Sequence, residues 1–251
     1  MTDTPLVVVT RPHGRADNIV HECARAGWSV RHVPLMRLQE HESFSGSLNA
    51  MAQTSDAVFF VSPSAVEMAA AKIDWTRYHG TVTAVGHASA TALQAASGKN
   101  VLYPHDGNDS EALLRLPLWR ERSGRLLIVR GAHGRDFFAE ALRKLGWTVD
   151  CADVYRRVAL PVSVDEQQMI FCHRGDIAVL LTSAEAARTW VDSLAPQYSA
   201  QGKRLLYFTI HPRIGDVLRC AGMESVEDHP AEDDIIAALR RLWNKHEPNI
   251  Y

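Results

Sequence analysis

The chain has 251 residues and a mass of 27.9 kDa, enough for one large α/β unit or for two domains of common size. A hydrophobic content of 46% with 22% charged residues is that of a folded globular protein and excludes collagen-like, disordered and disulfide-scaffold classes. The net charge of −2 and pI of about 6.6 lack the basic footprint of a duplex-binding protein, so any anionic ligand must be met locally.

The opening MTDTPLVVVTRP has no basic segment ahead of an apolar core, and no later stretch approaches about 18 uninterrupted apolar residues. A cytoplasmic protein without membrane or nucleic-acid partners is therefore expected. Leu6–Thr10 is an apolar, β-branched run that predicts a buried strand. Ala16–Ala26 follows as a helix with Ile19, Val20 and Cys23 on one face, ended by Gly27. Ser29–Leu38 reads as the next strand, Ala57–Val61 as another. Ser64 and Glu67 form a capping box at the start of the helix beyond it. Val82–Val85, Gly86 and a small-residue helix to Ala96 repeat the strand–turn–helix pattern; Val101–Pro104 is a short strand, and Asp109 or Ser110 caps a helix that Pro117 stops. Repetition of this unit predicts parallel sheets. The cysteines at 23, 151, 172 and 220 lie 128, 21 and 48 positions apart without a CxxC pair, which predicts reduced, buried core thiols.

The two halves of the chain resemble each other. Residues 6–38 align with 125–157, pairing Arg11 with Arg130, Gly14-Arg15 with Gly134-Arg135 and Gly27-Trp28 with Gly146-Trp147. AVFFVSPSAVE then aligns with AVLLTSAEAAR, and TAVGHASATAL with FTIHPRIGDVL, placing His87 opposite His211. Two similar doubly wound α/β domains are expected. The chain offers no clear linker between halves, so the candidate crossings are Leu35–Glu40 and Tyr155–Pro161, about which the domains are expected to move.

No GxGxxG, phosphate loop or GxSxG elbow is present. The closest histidine pairs, His13/His21 and His79/His87, are eight residues apart, not at the spacing of a helical zinc pair, and no metal site is expected. What remains are strand ends bearing small polar or basic groups: Thr10-Arg11, Ser62-Pro63-Ser64, Gly86-His87-Ala88-Ser89, Arg130-Gly131, Thr182-Ser183 and His211. Ligands of open α/β sheets collect outside the carboxyl ends of strands, where helix N-termini offer free N–H groups to anions. Two such edges facing one another would make a carboxylate-binding cleft served chiefly by backbone N–H groups. Each hydroxyl has a plain alternative as a helix cap, Arg11 and Arg130 as partners of Asp17 and Asp136, and Tyr155 as a packed ring with a satisfied hydroxyl.

VVVTRP near the start, Val30–Leu35, VLYPHDGNDSEALLRLP at 101–117, VRGAHGRDFFAEALRKLGWTV at 129–149 and VYRR at 154–157, in this order and spacing, resemble the bacterial uroporphyrinogen-III synthase family from Leu6 to Ala238. The resemblance implies two flavodoxin-like α/β domains joined by a two-stranded ladder, one from residues 1–36 and 158–251 and the other from 37–157. It implies a monomeric lyase that needs no cofactor and cyclises hydroxymethylbilane, a linear tetrapyrrole with eight carboxylates, to uroporphyrinogen III with inversion of the last ring. Hydroxymethylbilane synthase is an implied transient partner. Tyr155 falls in the position of the general acid, and the strand-end residues above in that of the substrate site. Two departures stand out: the IGxxTA pattern kept around Gly86 becomes Ile210-His211-Pro212-Arg213-Ile214-Gly215, without the threonine, and Ser183 is followed by Ala184-Glu185, a carboxylate beside a polyanion's site. The opposing class is an inactive two-domain anion-binding module of the same fold.

Overall fold

A computed structural model describes residues 4–41, 47–132, 134–229 and 232–243, without the side chains of Glu232 and Asp233. In chain order its elements are β1 (Leu6–Val9), α1 (Asp17–Arg25), β2 (Ser29–His32), β3 (Met36–Glu40), α2 (Leu48–Gln53), β4 (Ala57–Phe60), α3 (Pro63–Ala69), β5 (Thr81–Ala84), α4 (His87–Ser97), β6 (Val101–Leu102), α5 (Ser110–Leu114) and α6 (Leu118–Glu121). There follow β7 (Arg125–Gly131), α7 (Phe137–Lys144), β8 (Thr148–Ala159), α8 (Val164–Phe171), β9 (Ile177–Leu181), α9 (Ala184–Ser193), α10 (Ser199–Lys203), β10 (Leu206–Thr209), α11 (Pro212–Cys220), β11 (Ser225–Asp228) and α12 (Glu232–Trp243).

The chain divides into two compact units, Met1–Arg37 with Val158–Tyr251, and Leu38–Arg157. The first unit holds a five-stranded sheet in the order β11-β10-β9-β1-β2, and each of its neighbouring pairs is parallel. Counted along the unit this is the flavodoxin-like order 2-1-3-4-5. Alternation sends Leu6 and Val8 of β1 to a core with Trp190, Tyr207, Ile214 and Leu218, and Val7 and Val9 to an opposite core with Ile19, Cys23, Ile235 and Leu239. A strand buried on both faces needs the unbroken apolar run that residues 6–9 supply.

The second unit holds the order β3-β8-β7-β4-β5-β6, in which β8-β7-β4-β5-β6 is parallel throughout. One face carries α3 and α4 over Val58, Phe60, Val129 and Tyr155; the other carries α5, α6 and α7 over Phe59, Leu126 and Ile128. The internal repeat makes the two sheets equivalent. In each, a strand pair from one half of the chain (β1-β2 or β7-β8) sits beside a trio from the other half (β9-β10-β11 or β4-β5-β6). The halves have exchanged strand pairs, and the chain passes between units within β3 and within β8.

The repeated Gly-Trp pairs end α1 and α7 in the same way. Gly27 (φ +78°) and Gly146 (φ +88°) take the left-handed conformation, and Trp28 and Trp147 donate back to the carbonyls of Cys23 and Leu142 at 3.2 and 3.1 Å. Both indole rings are buried by that turn.

Four expectations are corrected. Residues 29–38 form two strands, because the ring of Pro34 removes a ladder donor between β2 and β3. The last short strand of the second unit is Val101–Leu102 only. Asp109 caps α5, which ends at Leu114 ahead of Pro117; the proline instead occupies the N-cap position of α6. Of the cysteines only Cys23 is buried, where loss of hydration pushes its thiol up to about 12; Cys151 is half-buried, and Cys172 and Cys220, at the C-cap of α8 and the last turn of α11, are exposed. Among the described residues no helix is long and apolar enough to cross a membrane.

Candidate functional site

In the second unit the carboxyl ends of β4, β7 and β8 bring Ser62, Gly131 and Tyr155 together. Tyr155 is 4% exposed, with its ring in the core beneath α3 and its hydroxyl 3.4 Å from Ser62 Oγ. Ser62 is the N-cap of α3 and accepts a 3.1 Å bond from the Ala65 amide, with Pro63 fixed at the first helical position. The phenol therefore lies at the positive end of a helix, beside a hydroxyl that can accept from it or donate to it. Gly131 makes the fit possible: a β-carbon there would lie 2.7 Å from the Tyr155 ring carbons Cε2 and Cζ. A register shift between Arg130 and Gly131 aligns this glycine with Tyr155.

Placing the cap on Ser62 corrects the Ser64–Glu67 reading. Ser64 is the second helical residue, since a proline at the first position assigns the cap to the residue before it. Ser62→Ala should cost about 1 kcal/mol of stability and Ser64→Ala a few tenths at most, read as the difference in urea midpoints.

The turn after β5 adds Gly86 as the extended N-cap of α4, with the Asn108 amide packed where a β-carbon would sit, 2.3 Å from Oδ1. His87 opens α4, its Nδ1 3.2 Å from the Tyr103 hydroxyl, and Ser89 is buried one turn in. His87 is thus not the counterpart of His211. The latter is the N-cap of α11, equivalent to Gly86, and Pro212 stands where His87 does. Position by position the two segments already set Gly86 opposite His211, and pairing the two histidines moved them one residue out of line.

Arg130 takes the alternative set out for it. Its Nη1 binds Asp136 at 2.7 Å and its Nε binds Asp153 at 2.8 Å, with 13% of the side chain exposed. The guanidinium holds the Asp136 carboxyl below its ordinary range. It lines a cavity of about 270 Å³ with Phe59, Ile128 and Phe138, on the face of the sheet opposite Tyr155. Arg11, its counterpart, sits in the turn after β1, where its carbonyl accepts from His32 Nε2 at 2.8 Å.

In the first unit Thr182, Ser183 and His211 line one cavity of about 580 Å³ at the carboxyl ends of β9 and β10. Ser183 caps α9, accepting from the Ala186 amide at 3.1 Å. The Nδ1 of His211 accepts from the Arg213 amide, also at 3.1 Å. The cavity also collects Arg188 and Arg213, which reading the turns alone overlooked. The signal for Arg213 was present in its place two residues after a strand-end histidine; that for Arg188 was not, because nothing local shows which side of α9 meets the cavity.

Behind this turn Asp228 accepts from Thr209 Oγ1 at 2.5 Å and from Arg219 Nη2. Burial pushes its carboxyl up, but these two donors outweigh burial and hold it below the usual range. A carboxylate lowered in this way stabilises the fold above about pH 3.9, the unfolded value, and loses that contribution as pH falls further. Asp228→Asn should therefore lower the urea midpoint at pH 7, and the gap from the parent should narrow at pH 3.

Among the described residues no three His, Cys, Asp or Glu side chains converge as a metal site. Comparison with known proteins follows the same lines. A family model described as uroporphyrinogen-III synthase HemD matches residues 17–237. The uroporphyrinogen-III synthases of Escherichia coli (strain K12) and Salmonella typhimurium are each 29% identical to the chain, over 248 and 247 residues, with 93% of this chain and 99% of those proteins aligned. Among solved structures, a uroporphyrinogen III synthase of the extremely thermophilic bacterium Thermus thermophilus superposes with a TM-score of 0.55 at 16% identity, over 97% of this chain and 100% of that one. The enzyme of Helicobacter pylori 26695 does so with a TM-score of 0.58 at 15% identity, over 95% and 99%. These two likenesses establish the two-domain α/β fold. With residues 17–237 matching the family's model from α1 into the last helix, the chain belongs to the uroporphyrinogen-III synthase family.

Proposed function

We propose that the protein converts hydroxymethylbilane to uroporphyrinogen III, holding the substrate in a cleft between its two units, which correspond to domains at 1–36 with 158–251 and at 37–157. The observation that carries this reading is the Tyr155 phenol, set 3.4 Å from Ser62 Oγ at the positive end of α3. In the proposed reaction Tyr155, as general acid, gives the hydroxymethyl oxygen the proton with which it leaves as water, and the proton lost on ring closure restores the phenol. The resulting azafulvenium cation is attacked by the substituted carbon of the terminal ring, and the spiro intermediate rearranges to the inverted macrocycle. Spontaneous loss of the same hydroxyl feeds the uninverted ring closure, so the protein's task is chiefly to hold the chain with the right carbon near the cation. Such preorganisation supplies up to about 7–11 kcal/mol in the best intramolecular cases.

The proposed substrate-contacting groups are Arg11, Ser62, Ser64, Gly86, His87, Ser89, Gly131, Thr182, Ser183 and His211, with backbone N–H groups of their turns receiving carboxylates, while Arg130 stays with Asp136 and Asp153. Freshly prepared hydroxymethylbilane, incubated with the protein and resolved into isomers III and I, tests the reading. Isomer III in excess is the expected result. Isomer I alone, at the uncatalysed rate, would make the chain an inactive binding module.

A further inference from the structure

We infer that the cavity of the first unit is a two-arginine carboxylate clamp, in which Arg188 of α9 and Arg213 of α11 set affinity for a polycarboxylate ring system; this deepens the function proposed above and rests on it. Both arginines line the cavity beside Thr182, Ser183 and His211. Neither forms an ion pair with any described residue, whereas Arg31, Arg130 and Arg219 are each bound to a carboxylate. In a chain of net charge −2, two guanidiniums that line one concave surface with no ion pair to a described residue are a local reversal of the overall charge.

The neutral groups at this turn are already occupied. Ser183 Oγ and His211 Nδ1 are spent as caps, and Ile214 stands where the equivalent turn of the second unit has the buried Ser89. The amino ends of α9 and α11 add positive potential to that of the two side chains. Glu185, the acidic residue in the first turn of α9, is not part of the cavity lining. Unit one thus adds two guanidiniums to the backbone N–H groups of its turns, where unit two presents a phenol and small polar groups. A guanidinium reads a carboxylate by two parallel N–H bonds, so the class of ligand is a ring or chain carrying several carboxylates on short arms.

The test uses uroporphyrin I, a stable macrocycle with eight carboxylates, with coproporphyrin I, which has four, as the comparison. Binding to the full chain is followed by fluorescence between 20 and 300 mM NaCl. For the parent, affinity for uroporphyrin should fall steeply with salt. Arg188→Gln and Arg213→Gln should each weaken binding threefold to tenfold at 20 mM NaCl, the double variant tenfold to a hundredfold with a flattened salt dependence, and coproporphyrin should lose less. Arg204→Gln, an exposed arginine of the same unit outside the cavity, is the charge control; thermal melts confirm folding of every variant. In the bilane assay the double variant should raise KM with kcat and the isomer ratio held.

Equal losses in the double variant and in Arg204→Gln would overturn the clamp in favour of diffuse charge, as would parent binding without salt dependence or no binding of uroporphyrin at all. Failure of the proposed reaction is read separately: a protein that binds uroporphyrin through these arginines yet yields no isomer III keeps the clamp and loses the activity.

Discussion

Tyr155→Phe should lower turnover tenfold to a hundredfold while folding and macrocycle binding stay nearly intact. The ring remains packed against Gly131 and the core beneath α3, and only the hydroxyl near Ser62 is removed. General acid assistance is typically worth 10²–10⁴-fold, but this leaving group also departs unaided, which places the effect at the low end. The isomer ratio separates two versions of the mechanism. If the phenol acts only in ionisation, the residual product stays mainly isomer III; if it also orients the terminal ring, isomer I rises. Full turnover with an unchanged ratio would return Tyr155 to a packing role.

Gly131→Ala should be more damaging than its one methyl group suggests. The backbone at Gly131 is not left-handed, so alanine is conformationally acceptable there, and the whole effect is steric. The new carbon meets Tyr155 at 2.7 Å, inside any relaxed contact, and the ring must move. Overpacking of a filled core costs about 1–3 kcal/mol. Turnover should fall at least as far as in Tyr155→Phe, because the hydroxyl is displaced rather than deleted. The double variant supplies the check. A Phe ring clashes as a Tyr ring does, so the stability loss should persist in the Tyr155→Phe background, whereas the loss of turnover should not add. Multiplying activity losses would mean that Gly131 acts on something other than the phenol.

These two residues also show what could be read from the chain alone and what could not. The run at 6–9 is short, β-branched and apolar at every position, a pattern that suits a strand covered on both faces, and it forms β1. Ser62 and Ser183 stand at equivalent places in the repeat and both cap helices, because a hydroxyl before a helix satisfies an amide whatever the surrounding fold. The contact of Gly131 with Tyr155 was beyond such reasoning. It depends on a register shift between two strands, and no local pattern encodes which residue faces a glycine across a ladder. Arg130 was ambiguous for a related reason: whether it meets a ligand or Asp136 and Asp153 is decided by which side of β7 it occupies. His211 was mispaired through a shared residue type, since the spacing of the two segments already sets it opposite Gly86, the cap that it replaces.

The exchange of strand pairs between halves has a consequence for the order in which the protein is built. Residues 38–157 are one uninterrupted stretch, so that unit has all its strands once this stretch has left the ribosome. The other unit cannot close then. β1 leaves the ribosome early with four fully apolar positions, but β9, which pairs with it in the centre of the sheet, begins only at Ile177. At about 5–20 residues per second the wait is on the order of ten seconds, long compared with the microseconds to milliseconds of local collapse. During it β1 has β2 beside it but an open apolar edge where β9 will pair, and for the last stretch, from residue 157 to 177, it waits attached to a finished neighbour. The later-completed unit is therefore where nascent-chain protection matters, and where slowed synthesis past residue 157 should divert the chain into aggregates.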